Sequence, residues 1–169
     1  VGVCDIDTKA ANKLAAHWGC ESFSSIDQML ETTEPNLVLV LTPSGSHYQH
    51  VYQVLQAGIH VLVEKPATMI AAESYELIDL AKQRNLMLGV AFQNRLNPAI
   101  QCLSRAVKSG RFGKITTATI RLRWCRFQDY YNDGWHGTWE NDGGVINQQA
   151  IHHVDALNWL LGPVESVCA

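Results

Sequence analysis

The sequence has 169 residues, 47% of them apolar and 17% charged, with a formal net charge of −3. That is enough chain to bury a core, without the compositional bias of a disordered or collagen-like polymer. The mild negative balance supplies no basic field for nucleic acid or an anionic membrane, and no stretch approaches the length of a membrane span. Cys4, Cys20, Cys102, Cys125 and Cys168 form no CxxC pair and no regular framework. An odd, scattered set fits reduced thiols in a cytoplasmic protein, and no basic region followed by an apolar one marks a secretory signal. The opening VGVCDID reads as the middle of a structure and the closing VESVCA as a strand just starting. The sequence is therefore expected to be an internal piece of a longer protein.

Val1 to Cys4 is a short apolar run ended by Asp5; Asp7 can cap a helix from Thr8 that carries Ala11, Leu14, Ala15 and Trp18 on one face and stops at Gly19. Ser25 can cap a second, short helix with Ile26, Met29 and Leu30, after which Glu34-Pro35-Asn36 turns the chain into LVLVLT. Five consecutive Leu and Val residues suit a strand covered on both faces. A loop from Thr42 to Ser46 leads to a helix with Tyr48, Val51, Tyr52 and Leu55 on one side and Gly58 beyond its end. The strand HVLVEKP follows, then a helix through Tyr75, Ile78 and Ala81, then the strand LMLGVAF.

Buried strands alternating with amphipathic helices predict a doubly wound parallel sheet, whose ligands sit at the carboxyl ends of the strands. Those ends carry Asp5, the Thr42 to Ser46 loop, Glu64-Lys65 and Gln93-Asn94-Arg95. After Arg95 the pattern changes, and a domain boundary is placed there, between 1–95 and 96–169. Asn97-Pro98 opens a helix through Ile100, Leu103 and Val107 that ends at Gly110. ITTATIRLRW then alternates, with Thr117, Thr119, Arg121 and Arg123 on one side and Ala118, Ile120, Leu122 and Trp124 on the other. That predicts a strand with one wet face in an antiparallel sheet.

The stretch GGVINQQAIHHVD, from Gly143 to Asp155, carries the densest chemistry. If it opens a helix, Gln148, His152 and Asp155 share one face, and Ala150, Val154, Leu157 and Leu161 form an apolar face opposite. His152 is then a candidate general acid or base or, equally, a satisfied pocket histidine. Asp155 could orient that imidazole or pair with an arginine. A metal site is disfavoured, because neighbouring residues on a helix point about 100° apart and His152 and His153 cannot both face one ion.

Asp5 stands where a dinucleotide-binding fold places the acid that accepts from a ribose diol, although it could equally serve as a cap. Ile6 follows it rather than Arg, so nothing welcomes a 2′-phosphate, and NAD is expected over NADP. The glycine-rich turn that would decide the matter is not in this sequence. Lys65 sits between Glu64 and Pro66, whose ring stiffens the backbone just past it. A lysine confined near a cationic nicotinamide would lose its proton more easily and could act as acid or base; the plain alternative is a surface Glu-Lys pair. Tyr130, Tyr131, Trp135, His136 and Trp139 form an aromatic loop that could stack on a sugar or base, or simply pack on the sheet. Arg121, Arg123 and Arg126 could grip phosphates or remain solvated.

Glu64-Lys65-Pro66 after a buried strand, QNRLNP from Gln93 to Pro98, and the paired glycines before a helical H-x-x-D at His152 to Asp155 together resemble the Gfo/Idh/MocA family of nicotinamide-dependent sugar oxidoreductases. The resemblance covers the whole chain. Within the family, RWCRFQDYYNDGWHGTWENDGG is similar to the branch that oxidises the 3-hydroxyl of UDP-linked N-acetylhexosaminuronic acids or related nucleotide sugars. It implies a Rossmann domain, here lacking its first strand, followed by the start of an α/β domain with an open, largely antiparallel sheet that makes homodimers or homotetramers.

The resemblance also implies that a sugar hydroxyl proton passes to Lys65 or His152 while hydride moves to a nicotinamide. That ring would be positioned by Thr42, Pro43, His47, Glu64 and Gln93, with Asp5 and Lys65 also among the cofactor-binding residues, and the substrate would be held by Arg95, Tyr131, Trp135, Gln148 and His152, with no metal. Where the family usually has Asp or Asn four residues before the histidine, this chain has Gln148, which cannot ionise. Two other readings stay open: a non-catalytic dinucleotide-binding regulator, and a dehydrogenase of free sugars or inositols.

Overall fold

The computed structural model describes residues 1–168. Strand β1 (Gly2–Cys4) leads to helix α1 (Thr8–Trp18), whose start is set by Asp7 accepting from the N–H groups of Lys9 and Ala10 and whose end is set by Gly19 in the left-handed region. The chain returns as β2 (Glu21–Phe23), parallel to β1 with Gly2 opposite Glu21 and Cys4 opposite Phe23. The sequence reading passed over β2, because three residues are too few to show a periodicity. Helix α2 (Ile26–Thr33) is capped by the Ser25 hydroxyl, as its sequence predicts.

A second parallel sheet has the order β3 (Leu37–Val40), β4 (His60–Glu64) and β5 (Leu88–Ala91). Its register pairs Val40 with Val63 and Glu64 with Ala91. The crossovers are α3 (His47–Gln56) and α4 (Ala71–Gln83). The core lies beneath them: Val51, Val54, Leu55 and Val63 are 0% exposed, and Val61 and Leu77 nearly so. β3 departs from expectation. Val38 and Val40 are buried, yet Leu37, Leu39 and Leu41 are 52%, 54% and 67% exposed, so one face of this sheet stays open among the described residues. α4 lies where predicted, but Leu77 and Ala81 carry its buried face while Tyr75 and Ile78 are exposed.

Beyond β5 a short 3-10 turn (Gln93–Leu96) hands the chain to α5 (Pro98–Lys108), with Asn97 accepting from the Ala99 N–H and Pro98 in its first turn. The predicted strand at 115–124 has no ladder. Its residues are largely exposed, and among the described residues no strand lies beside it to accept its backbone hydrogen bonds. Residues 146–150 form one π turn, and only at Ile151 does α6 (Ile151–Leu161) begin. All five cysteines are free, and no helix among the described residues is long and apolar enough to cross a membrane.

Candidate active site

At the carboxyl ends of parallel strands β3 and β4 lies a cavity of about 330 Å³. That is the small end of the range for sites that hold small organic molecules, about 300–1,000 Å³. Leu41, Thr42, Pro43, Ser44 and His47 line one side, Glu64 and Lys65 another, and Trp135 and Gln148 close it from the second half of the chain. Lys65 and Gln148, 83 positions apart, meet directly: Lys65 Nζ donates to the Gln148 carbonyl at 2.8 Å and also to its side-chain Oε1.

The π turn explains how Gln148 reaches this position. The extra residue shifts Gln148 out of the regular α6 register, so that both its backbone carbonyl and its amide oxygen face the Lys65 amine. Sequence periodicity treats 146–161 as one helix and misses this. It also inverts the faces. Gln148, His152 and Ala156 are buried, whereas Val154 and Leu161, expected to pack, are 54% and 46% exposed. The polar stripe turns inward because its partners lie within the chain.

His152, one turn on, stands edge-on to Phe92 at 6.2 Å between ring centroids, and its buried Nδ1 has no hydrogen-bond partner. Burial pushes its pKa down, the Lys65 charge pushes it further down, and Glu64 partly opposes them. Lys65 is likewise held below the ordinary lysine range by burial, against the pull of Glu64 and Asp142. Both groups are thus biased toward their neutral, proton-accepting forms.

Asp155 does not orient His152. It takes a bidentate bond from Arg95, Nε to Oδ2 at 2.8 Å and Nη2 to Oδ1 at 2.5 Å, and Arg95 also lies over the rings of Phe92 and Trp159. The bond to Asp155 holds the guanidinium firmly charged. Arg95, assigned to substrate on sequence, is a strut between the segment after β5 and α6, with the donors it turns toward that helix already engaged.

Gln93 and Tyr131 are exposed and outside the cavity lining, and Tyr131 rests edge-on against Tyr130. Asp5 is exposed at the end of β1, where its carboxylate accepts from the Asp7 N–H at 2.8 Å. His47 lines the cavity, but both its ring nitrogens are engaged by backbone carbonyls, at Pro66 and Thr42, which leaves it no polar atom for a ligand. Among the described residues no group of three His, Cys, Asp or Glu side chains is placed to hold a metal.

The aromatic loop forms the outer wall. Trp135 and His136 pack as tilted rings with centroids 3.6 Å apart, His136 and Tyr130 likewise at 4.1 Å, and the Arg126 guanidinium lies over Tyr130 and Trp124. The loop is tied at its base by Asp142, 5% exposed, which accepts from the Gly137 N–H. The sequence reading overlooked Asp142, an ordinary residue before two glycines whose burial no local pattern signals. Gly45 matters for a related reason: a Cβ there would strike the Glu140 carbonyl and Asn141, so the Thr42–Ser46 loop and the aromatic loop touch backbone to backbone.

Residues 1–92 match the oxidoreductase family with the NAD-binding Rossmann fold, GFO_IDH_MocA, and residues 100–169 match the C-terminal domain of the same family. A solved structure of the WlbA dehydrogenase from Bordetella pertussis, in complex with NADH and UDP-GlcNAcA, is 38% identical and superimposes with a TM-score of 0.94 over 98% of this chain and 48% of that one. The D-glucoside 3-dehydrogenase of Escherichia coli (strain K12) is 34% identical over 168 residues, 96% of this chain and 46% of its own length. The UDP-N-acetylglucosamine 3-dehydrogenase of Acidithiobacillus ferrooxidans is 37% identical over 105 residues, 62% of this chain and 33% of its own. The chain spans less than half the length of these relatives.

Proposed function

Because the chain belongs to the Gfo/Idh/MocA oxidoreductase family, we propose that the whole protein is a nicotinamide-dependent dehydrogenase that oxidises a sugar hydroxyl, with C3 of a UDP-linked sugar as the position attacked. The observation that carries this reading is the Lys65 amine fixed by Gln148 at the mouth of a cleft between two parallel strand ends, with His152 one helical turn away. A non-catalytic regulator would have no need of an amine and an imidazole that are both biased toward their neutral forms.

The residues present fit the nicotinamide end of a dinucleotide. The cleft lies at the carboxyl ends of parallel strands with Glu64 and Lys65 in its lining, while His152, buried edge-on against Phe92, stands outside that lining. When bound, the cofactor accepts a hydride. Thr42, Pro43 and Glu64 form the walls of its pocket, and Gln93, past the end of the adjoining β5, and Asp5, past the end of β1 in the other sheet, would reach its more distant parts. The absence of Arg after Asp5 favours NAD over NADP.

In the chemical step the substrate C–H bond breaks as hydride leaves, and the O–H bond breaks as its proton passes to neutral Lys65 or His152, leaving a ketone. Gln148 cannot ionise, so it orients the amine rather than moving a proton. Trp135 offers a ring face to the sugar, in line with the UDP-sugar in the Bordetella pertussis complex. A free glycoside is the second reading, favoured by the similarity to the Escherichia coli D-glucoside 3-dehydrogenase. A division of the chain near Arg95 is supported by the two family matches, which stop at 92 and resume at 100. A homodimer or homotetramer is proposed for the whole protein. The test is the appearance of reduced-nicotinamide absorbance with full-length protein, NAD and a panel of UDP-N-acetylated sugars, uronic acids and free glycosides. Turnover confined to free glycosides would sink the nucleotide-sugar reading, and no turnover with any would sink the dehydrogenase.

A further inference from the structure

Two histidines at the start of α3 take no part in the chemistry above. His47 is 1% exposed; its Nδ1 lies 2.6 Å from the Pro66 carbonyl and its Nε2 lies 2.7 Å from the Thr42 carbonyl. Carbonyl oxygens only accept, so whichever ring nitrogen carries the proton donates to its carbonyl while the other stays in close contact with the second. The two carbonyls belong to opposite walls of the cleft. Thr42 follows β3, and Pro66 directly follows Lys65 beyond β4. Past the β3–β4 ladder, no other hydrogen bond among the described residues joins the Thr42–Ser46 wall to the Lys65–Thr68 wall.

One turn along α3, His50 Nδ1 lies 3.0 Å from the Thr42 hydroxyl. Burial and the neighbouring His47 push His50 below the usual histidine range, which leaves it a lone pair with which to accept the hydroxyl proton. Thr42 is thereby gripped at its carbonyl and its side chain by one helix.

We propose that His47 is a positioning residue, a two-sided bridge that sets the distance between the cofactor wall at Thr42–Pro43 and the Lys65 amine, with His50 bracing Thr42. The proposal deepens the dehydrogenase reading and rests on it for its kinetic consequences. His47 then has no ring nitrogen left to hydrogen-bond the cofactor, although its ring lines the cavity, and it acts on the reaction through Lys65 and Thr42. Opening the walls by a fraction of an ångström would lengthen the hydride path and loosen the amine, and a misplacement of about 1 Å costs on the order of a hundredfold in rate.

The test compares His47→Phe, which keeps ring volume without any N–H, and His47→Gln, which keeps a donor for one carbonyl, in the full-length protein. His47→Phe should lower kcat by about a hundredfold and His47→Gln by about tenfold, with a larger primary deuterium isotope effect and NADH affinity within about threefold of wild type. A second readout needs no substrate: competitive acetylation of Lys65 across the alkaline range should report an amine that relaxes toward ordinary lysine behaviour in His47→Phe. If His47→Phe does not fold, His47→Gln carries both readouts. Unchanged kcat and unchanged Lys65 reactivity would reduce His47 to packing, and a loss of NADH affinity matching the loss of kcat would make it a cofactor contact; either overturns the proposal. Wild-type protein that oxidises no sugar, but whose Lys65 reactivity still shifts in the variants, would refute the dehydrogenase and leave the bridge standing.

Discussion

Gln148→Asp puts a carboxylate where the Lys65 amine now meets an amide oxygen, and the structure fixes the sign of the outcome. Unit charges about 4 Å apart attract by about 1 kcal/mol in water and about 4 kcal/mol at the effective dielectric near a protein surface. Lys65 is only half-buried, so about 1.5–3 kcal/mol is the reasonable range, which holds its proton about tenfold to a hundredfold more tightly. Where Lys65 is the proton acceptor, oxidation needs the neutral amine. In the native protein burial keeps Lys65 below the ordinary lysine range, so the rate of sugar oxidation should rise with pH earlier than an unperturbed lysine would allow. Gln148→Asp should move that rising limb to higher pH and lower kcat/KM at neutral pH by the same ten- to hundredfold, while Gln148→Asn, still uncharged, should move it little. Initial rates of nicotinamide reduction against pH in the full-length protein decide it. A limb that stays put in the Asp variant would refute the role given to Lys65, and one that moves to lower pH would assign the proton to the new carboxylate.

Lys65→Ala should cut turnover by about a hundredfold to ten-thousandfold and leave NADH binding intact; substantial residual turnover would remove Lys65 from the chemistry. Asp155→Asn breaks the bidentate tie from Arg95 and should cost about 1.5–3 kcal/mol in urea unfolding; an unmoved midpoint would mean the strut contributes nothing. Leu55→Ala empties a site that is 0% exposed in the shared core of α3 and β4, and should cost about 2–5 kcal/mol by the same measurement; a loss under 1 kcal/mol would contradict that packing.

The parts of this fold that were legible in the sequence are those whose causes are local. Asp7 and Gly19 bracket α1, Ser25 opens α2, and Asn97-Pro98 opens α5, because caps act on backbone groups within three residues. The apolar runs at 37–40 and 60–64 place β3 and β4, and hence the strand ends where Thr42 and Lys65 line one cavity. What was not legible depends on partners. The alternating stretch at 115–124 has strand periodicity but no neighbouring strand, and the Leu37, Leu39 and Leu41 face has no cover among the described residues. Helical spacing predicts that α6 packs through a face including Val154 and Leu161, whereas Lys65, Phe92 and Arg95 draw the polar stripe inward. His47 shows the same limit: the family resemblance implies a cofactor contact there, and only coordinates reveal the two carbonyls that face its ring nitrogens.

The central claim is that the Lys65 amine and the His152 imidazole both attend the hydroxyl being oxidised. A crystal structure of the full-length protein with NAD and the UDP-sugar selected by the substrate panel tests it most directly. The reacting hydroxyl oxygen is expected within about 2.6–3.2 Å of Lys65 Nζ or a His152 ring nitrogen, with Trp135 against the sugar and the nicotinamide over Thr42–Pro43. A sugar seated away from this cleft, or one whose hydroxyl meets neither side chain, would contradict it.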